Sequence, residues 1–494
     1  MGVIQPARTP VLVGVGQSIE RDAVVSVVDL TEHAARAAFE DAPGMAERVE
    51  RISTVSAVFS PCGKAPSTEL AARLGLSDVQ CETTTPGGNT PQWLVTRAAE
   101  EIASGTLRAT MIVGAEATRS MRAANPGADF LGASRAHNSV EEETEPVVGP
   151  STQGVLSEAE LASGLVRPAE LYPIFEDALA ATACRSSQAQ RDHLGQLLAP
   201  FTQVAADNPF AWFRDELSAA EVSEPSPANR LTAEPYTKRM NSFPNVDQGS
   251  ALLLTSLEIA REAGLEEQCV FPWGGATNSD VAPAKREALD DSPAIRAAAR
   301  ALFDACGIGI DEIDLIDLYS CFPSAVQVGA AAIGLSLDDS RGLTVTGGLP
   351  FFGGPGNNYT SHAIVSVVER LREARGLAYV AGNGGFLSKH SVGVYGSEPP
   401  PRGFRKPDTS AEQSAIEAAA LPVASEASGE ATVVAGTVVY ERNGSVERAP
   451  VVAVLPDGRR IVANAEPSLL PELAGRSLAG CTISVDGSPP VYKL

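Results

Sequence analysis

A chain of 494 residues is longer than one ordinary domain, and 44% hydrophobic content supplies apolar side chains for two to four packed cores. The formal net charge is −23, with six lysines among 38 basic residues and no basic cluster, which argues against nucleic-acid and anionic-membrane partners. Seven scattered cysteines without a C-x-x-C pair give neither a metal site nor a disulfide framework, and an odd number fits a reducing compartment. The start MGVIQPARTPVLVGVG carries no basic-then-apolar leader, and no apolar run approaches about 18 residues, so the expectation is a soluble cytoplasmic protein.

Residues 9–15 (TPVLVGV) suit a buried strand. Gly14 and Gly16 follow without the third glycine of a dinucleotide fingerprint, so they read as a turn at the strand's end. A helix is expected over 28–40, a strand over 52–59 and a short helix over 67–74. The loop Pro86-Gly87-Gly88-Asn89 then enters a helix with Leu94, Val95, Ala98, Ala99 and Ile102 apolar, followed by a strand at 110–114. Residues 115–240 break the alternation and read as an inserted lobe with helical pieces at 168–182 and 188–198. The acidic run 141–145 reads as solvated surface. Strand 246–256, helix 284–306, strand 312–319 and helix 321–334 come next. The stretch from Gly347 is a glycine-rich loop (GGLPFFGGPGNNY) entering an apolar helix, then a strand running into a second glycine loop, GNGG at 382–385. SEPPPRGFRKPDTS reads as a Pro-rich charged linker. After a short helix at 411–420, strands at 431–440, 449–455, 460–464 and 482–485, separated by Asn443-Gly444, Asp457-Gly458 and Asp486-Gly487, outline a small antiparallel β domain.

One unit recurs. Pro86-Gly-Gly-Asn, a helix and a strand to Gly114 are matched by Pro355-Gly-Asn-Asn, a helix and a strand to Gly382, each with another apolar strand upstream. Two copies of a βαβ-rich unit would aim both helix N-termini at one place, although two unrelated loop–helix–strand units of similar length would give the same pattern. Glycines allow close backbone approach, and a helix N-terminus suits a carbonyl, thioester oxygen or phosphate.

Over about residues 9–396 these features resemble the thiolase superfamily. The nearest branch is the sterol-carrier-protein-type thiolases, and closer still the bacterial thiolase-like proteins of type 1 with an additional C-terminal domain. YSCF at 319–322 is similar to the H-D-C-F signature, GGLPFFGGP at 347–355 to the loop ending G-H-P, and GNGG at 382–385 to the C-x-G loop. The resemblance implies an α/β thiolase fold: two pseudo-symmetric βαβαβαββ halves (1–267, carrying the lobe 115–240, and 268–404) in five layers. A linker, short helix and OB-like β domain (405–494) would follow. It implies coenzyme A or an acyl-CoA as ligand or substrate, a role in lipid metabolism, no covalently bound cofactor and no metal. Thiolases pair through strands beside the nucleophile loop, so a monomer or a homodimer is expected, according to whether the extra domain covers that surface.

The family's chemistry is acyl transfer by a cysteine nucleophile, with an oxyanion hole and a second cysteine as acid/base. Here the nucleophile's position falls on Gly88, the G-H-P histidine on Gly354, the polar residue of the third loop on Tyr319 and the C-x-G cysteine on Gly382. The loop backbones implied to bind substrate are Gly87, Gly88, Asn89, Gly353, Gly354, Asn357, Asn358, Gly382, Gly384 and Gly385. The side chains left as catalytic candidates are Tyr319, Tyr359 and His362. Three functions compete: an acyl-CoA-binding protein without ordinary thiolase activity, a CoA-dependent C–C lyase (retro-aldolase) using those side chains, and a residual acyltransferase using Cys321.

Overall fold

The computed structural model describes residues 5–127 and 144–494. Its strands are β1 (Pro10–Ile19), β2 (Arg51–Val55), β3 (Gln80–Thr84), β4 (Ala109–Ala117), β5 (Val147–Val148), β6 (Leu231–Ala233), β7 (Tyr236–Thr237), β8 (Asp247–Ser256), β9 (Phe271–Ser279), β10 (Leu315–Asp317), β11 (Leu377–Gly384) and β12 (Lys389–Gly396). One sheet has the order β1-β8-β4-β2-β3-β5, the other β10-β11-β12-β9. In the first, β2 pairs parallel with β4, β4 antiparallel with β8, and β8 antiparallel with β1. The second repeats that series: β10 parallel with β11, β11 antiparallel with β12, β12 antiparallel with β9. Order and sense belong to whole sheets, so their repetition marks a duplicated unit and not a chance likeness of two loops.

The helices Thr90–Ser104 and Tyr359–Glu373 pack against strands of both sheets, while Val27–Asp41 covers the other face of the first sheet and Pro293–Cys306 that of the second. The result is the five-layered thiolase fold. A helix sandwiched between sheets must be buried all round, and Tyr359 to Val368 are buried without a break. Gly14 and Gly16 lie inside β1, not in a turn at its end. A Cβ on Gly14 would stand 2.6 Å from the Ala38 carbonyl oxygen, and one on Gly16 2.6 Å from the Ala38 nitrogen. The helix Val27–Asp41 presses Ala34, Ala35 and Ala38 onto β1, and that closeness excludes side chains from the strand.

In the lobe, the helix Pro168–Thr182 forms as expected, and the next one, Ser187–Asp207, continues through Pro200. Of the acidic run, residues 141–143 lie outside the described residues. Glu145 is buried and accepts from the Ser67 nitrogen at 2.9 Å, at the start of the helix Pro66–Leu74, so it acts as a cap and not as solvated surface.

The remaining strands are β13 (Ala427–Gly436), β14 (Val439–Tyr440), β15 (Val446–Arg448), β16 (Pro450–Val454), β17 (Arg460–Ala465), β18 (Thr482–Gly487) and β19 (Pro490–Lys493). Five of them close a small barrel, β13-β16-β17-β19-β18, around its own apolar cluster. β14 and β15 join β6 and β7 of the lobe in a separate sheet, β15-β14-β6-β7. The Pro-rich stretch before the barrel docks on the edge of β9: the Gly275 nitrogen donates to the Arg405 carbonyl at 3.0 Å, and Trp273 Nε1 to the Glu398 carbonyl at 2.9 Å. Among the described residues no helix is long and apolar enough to cross a membrane, and no group of three or more His, Cys, Asp or Glu is placed to hold a metal ion.

Candidate functional site

The two helix-starting loops meet. The Gly87 nitrogen donates to Asn357 Oδ1 at 3.0 Å, and Thr360 Oγ1 donates to the Gly88 carbonyl at 2.6 Å. Asn357 Nδ2 ties the junction to the Ser56 carbonyl at 2.8 Å, and Asn358 Nδ2 ties it to the Gly114 carbonyl at 2.8 Å. Gly382 and Gly384 belong to the end of β11 and not to a loop; a four-residue turn, 385–388, follows and leads into β12. That strand end lies on the first loop. A Cβ on Gly382 would be 2.9 Å from Asn89 Cα, and one on Gly384 would be 3.0 Å from Gly87 Cα. Gly87, Gly88, Asn89, Asn357, Asn358, Gly382 and Gly384 therefore come together. Gly353 and Gly354 stand to the side, against Gln248 and Ser242 respectively, and Gly385 faces Val155 of the lobe.

At each position where the sequence departs from the thiolase pattern, the space is filled. A Cβ on Gly88 would run into the Tyr319 hydroxyl and would lie 2.7 Å from Tyr319 Cζ and 2.5 Å from the Asn383 carbonyl oxygen. One on Gly354 would collide with Ser242 Oγ. A Cβ at Gly88 would require Tyr319 and the Asn383 carbonyl to shift, and one at Gly354 would require the Ser242 hydroxyl to rotate away.

The Tyr319 ring stands edge-on to Tyr359 at 5.4 Å, and its hydroxyl makes no hydrogen bond among the described residues. It borders a cavity of about 20 Å³ shared with Asn383, Tyr379 and His390, room for about one water. Tyr359 is fully buried; its hydroxyl bonds Thr346 Oγ1 at 2.6 Å and reaches Asp317 Oδ1 at 3.3 Å. His362 is fully buried as well, with Nδ1 on Gln17 Oε1 at 2.7 Å, and burial pushes its pKa down to about 3, so the ring is neutral. The polar atoms of both residues are engaged inside the core. Cys321 is buried, and burial pushes its thiol up to about 12, far from the thiolate a nucleophile requires.

Three titratable groups around this platform escaped the sequence reading. Glu116, at the end of β4, accepts from the Val58 nitrogen at 2.6 Å and from Ser60 Oγ at 2.7 Å, and burial pushes its carboxyl up to about 7. A Cβ on Gly356 would strike it, so it underlies the second loop. Asp317 accepts from the Val345 nitrogen at 3.0 Å and burial raises it to about 6. Lys389 opens β12, is 3% exposed, and places Nζ on the Pro86 carbonyl of the first loop. The signal for Lys389 was a lone lysine in a stretch without carboxylates, FLSKHSVGVYG.

Comparison with known proteins agrees with this fold. Residues 413–488 match the family model "Thiolase-like protein type 1 additional C-terminal domain". The crystal structure of a monomeric SCP2-thiolase-like protein type 1 from Mycobacterium smegmatis superposes with a TM-score of 0.84 at 30% identity, covering 99% of both chains. A thiolase from Ascaris suum, solved in complex with coenzyme A, matches 78% of this chain and 99% of its own at a TM-score of 0.58 and 16% identity, a likeness of fold. Sterol carrier protein 2 of Rattus norvegicus is 25% identical over 155 residues, 30% of this chain and 27% of the relative's length.

Proposed function

The chain belongs to the SCP2-thiolase-like proteins of type 1 within the thiolase superfamily, and from that footing we propose that it binds coenzyme A or an acyl-CoA and does not perform cysteine-dependent acyl transfer. Support for the ligand comes from the glycine platform, where the loops that start two helices meet, and from a thiolase of the same fold solved with coenzyme A. The role that follows is acyl-CoA handling in lipid metabolism.

The single observation that carries the second half is the packing at Gly88. A nucleophile's Cβ there would occupy the place of the Tyr319 ring and hydroxyl. No thiol stands at Gly382 to move a proton, and burial keeps Cys321 protonated. A thiolysis assay with acetoacetyl-CoA and coenzyme A checks this. The expected outcome is no thioester consumption above a protein-free control; turnover that disappears in Cys321→Ala would overturn it in favour of acyl transfer by that thiol.

One observation favours a second reading, a CoA-dependent C–C lyase. The Tyr319 hydroxyl lies at the platform and has no hydrogen-bond partner among the described residues, so it is free to donate to or accept from a substrate oxygen. Tyr359, edge-on to that tyrosine, would support it, and Tyr359 and His362, both bonded within the core, would not touch substrate. If cleavage of a β-hydroxyacyl-CoA is found, Tyr319→Phe should abolish it; unchanged cleavage in that variant would eliminate the reading.

A further inference from the structure

Of the six lysines only Lys389 is buried, at 3% exposure. In a chain of net charge −23 a buried ammonium is expected to sit on a carboxylate. Lys389 does not: among the described residues no carboxylate lies within ion-pair distance, and its one hydrogen bond goes to the Pro86 carbonyl. Burial alone, with no charged neighbour contributing, pushes its pKa down to about 8.

The surroundings of Nζ are specific. β12 alternates its side chains, so Lys389 and Ser391 face the first glycine loop while His390 faces the opposite side of the sheet. Ser391 Oγ accepts from Asn89 Nδ2 at 3.2 Å and bonds Thr277 Oγ1 at 3.0 Å, which fixes the Asn89 amide. Asn89 Oδ1 is then left buried and without a hydrogen-bond partner. Both groups point at one spot: the place of a Cβ on Gly87 is 2.9 Å from Lys389 Nζ and 2.5 Å from Asn89 Oδ1. A donor with unused hydrogens and an orphaned acceptor therefore flank a residue without a side chain, at the N-terminus of the helix Thr90–Ser104. Pro86, which Nζ touches, is exposed, so the amine lies one residue beneath the surface.

We propose that Lys389 is an acyl acceptor: Nζ takes the acyl group of a thioester bound at the glycine platform, with the Asn89 amide beside it. In this step the nitrogen lone pair attacks the thioester carbonyl carbon, a C–N bond forms and the C–S bond breaks. The sulfur leaves as thiolate and takes up the proton that the nitrogen sheds. The product is an amide that removes the buried charge, so the site records exposure to thioester. For acyl-CoA as donor this rests on the binding reading above; for a thioester without the nucleotide it does not.

The test incubates the whole protein at pH 8 with acetyl-CoA and, separately, with the acetyl thioester of N-acetylcysteamine, and maps acetyl groups by peptide mass spectrometry. Acetylation of Lys389 should exceed that of Lys238 or Lys406, both exposed, by about tenfold or more, because an ordinary lysine is almost wholly protonated at that pH. Lys389→Arg, which keeps the charge and the contact to Pro86 but cannot be acylated, should melt close to the wild type and lose that adduct. Should the variant not fold, the labelling rate of the wild type against pH still decides, with a midpoint near 8 expected at Lys389. Labelling by both donors supports both readings; labelling by the small thioester alone supports the acyl acceptor and counts against acyl-CoA binding. No preference for Lys389 with either donor overturns the proposal.

Discussion

At the scale of single residues, the site is defined by what fills the room of absent side chains. Gly88 faces Tyr319, Gly354 faces Ser242, and Gly382 lies on the backbone of Asn89. Placing a thiol at Gly88 is therefore expected not to give thiolase activity. Gly88→Cys should show no thiolysis and should lower stability by about 1–3 kcal/mol, the usual cost of overpacking, read from the denaturation midpoint. Thiolase activity in that variant would mean that Tyr319 moves aside readily. Glu116 gives a prediction with a sign. Its folded pKa of about 7 lies above the ordinary 4.5, so between those values the folded chain keeps a proton that the unfolded chain has released. Its contribution to stability is fully present below about 4.5, is lost as pH rises to about 7, and amounts to about 3 kcal/mol. Glu116→Gln keeps an acceptor for the Val58 nitrogen and cannot ionise. Melting curves from pH 5 to 8 should thus fall less steeply for the variant than for the wild type; parallel curves would show that Glu116 titrates normally.

At the scale of elements, legibility followed periodicity. The strands and helices around both glycine loops were readable because apolar runs end in glycine and because the second unit repeats the first. β9 was not readable: FPWGGATNS has two glycines, a proline and no alternation, and its strand form comes from the pairing with β12, while Gly274 and Gly275 let Arg405 and Thr96 approach on its two sides. The GNGG stretch reads as a loop by composition, yet Gly382 to Gly384 pair with Ser391 to Lys389 in a ladder that only the whole sheet supplies. The sequence located the platform's glycines for the same reason that it missed Lys389, Ser242 and Glu116: glycine loops announce themselves locally, whereas those side chains reach the site from distant elements.

The attachment of the barrel was equally invisible, because it is long-range: Ala435, Val452 and Val462 pack into the main core, and polar contacts join the lobe to the barrel. Asp177, in the lobe helix Pro168–Thr182, accepts from the Gly436 nitrogen at 2.9 Å and from Ser477 Oγ at 2.7 Å. Glu234, after β6, accepts from the Tyr440 hydroxyl at 2.8 Å and from Arg191 at 3.1 Å. Asp177→Ala would leave a buried N–H unpaired and should cost about 1–3 kcal/mol, with faster hydrogen exchange in β13 and in the segment around Ser477. Unchanged exchange there would mean that the other contacts, among them Glu234 to Tyr440, Arg448 to the Ser163 carbonyl and the β14–β6 pairing, hold the barrel without it.

At the scale of the whole molecule, the fold leaves the first loop's strand already partnered. β3 is followed at its outer edge by β5: the Thr83 nitrogen donates to the Pro146 carbonyl at 2.9 Å, and the Thr85 nitrogen to the Val148 carbonyl at 2.8 Å. An edge occupied by its own chain is not free to pair with a second copy. Sedimentation at micromolar concentration should give one species of 51.3 kDa; a dimer would contradict that expectation.

This thiolase scaffold is proposed to bind coenzyme A although the nucleophile's position is a glycine packed against Tyr319. Calorimetric titration of coenzyme A into the intact protein tests this most directly. Saturable binding at one site per chain is the expected result, and the absence of binding at millimolar ligand would contradict it.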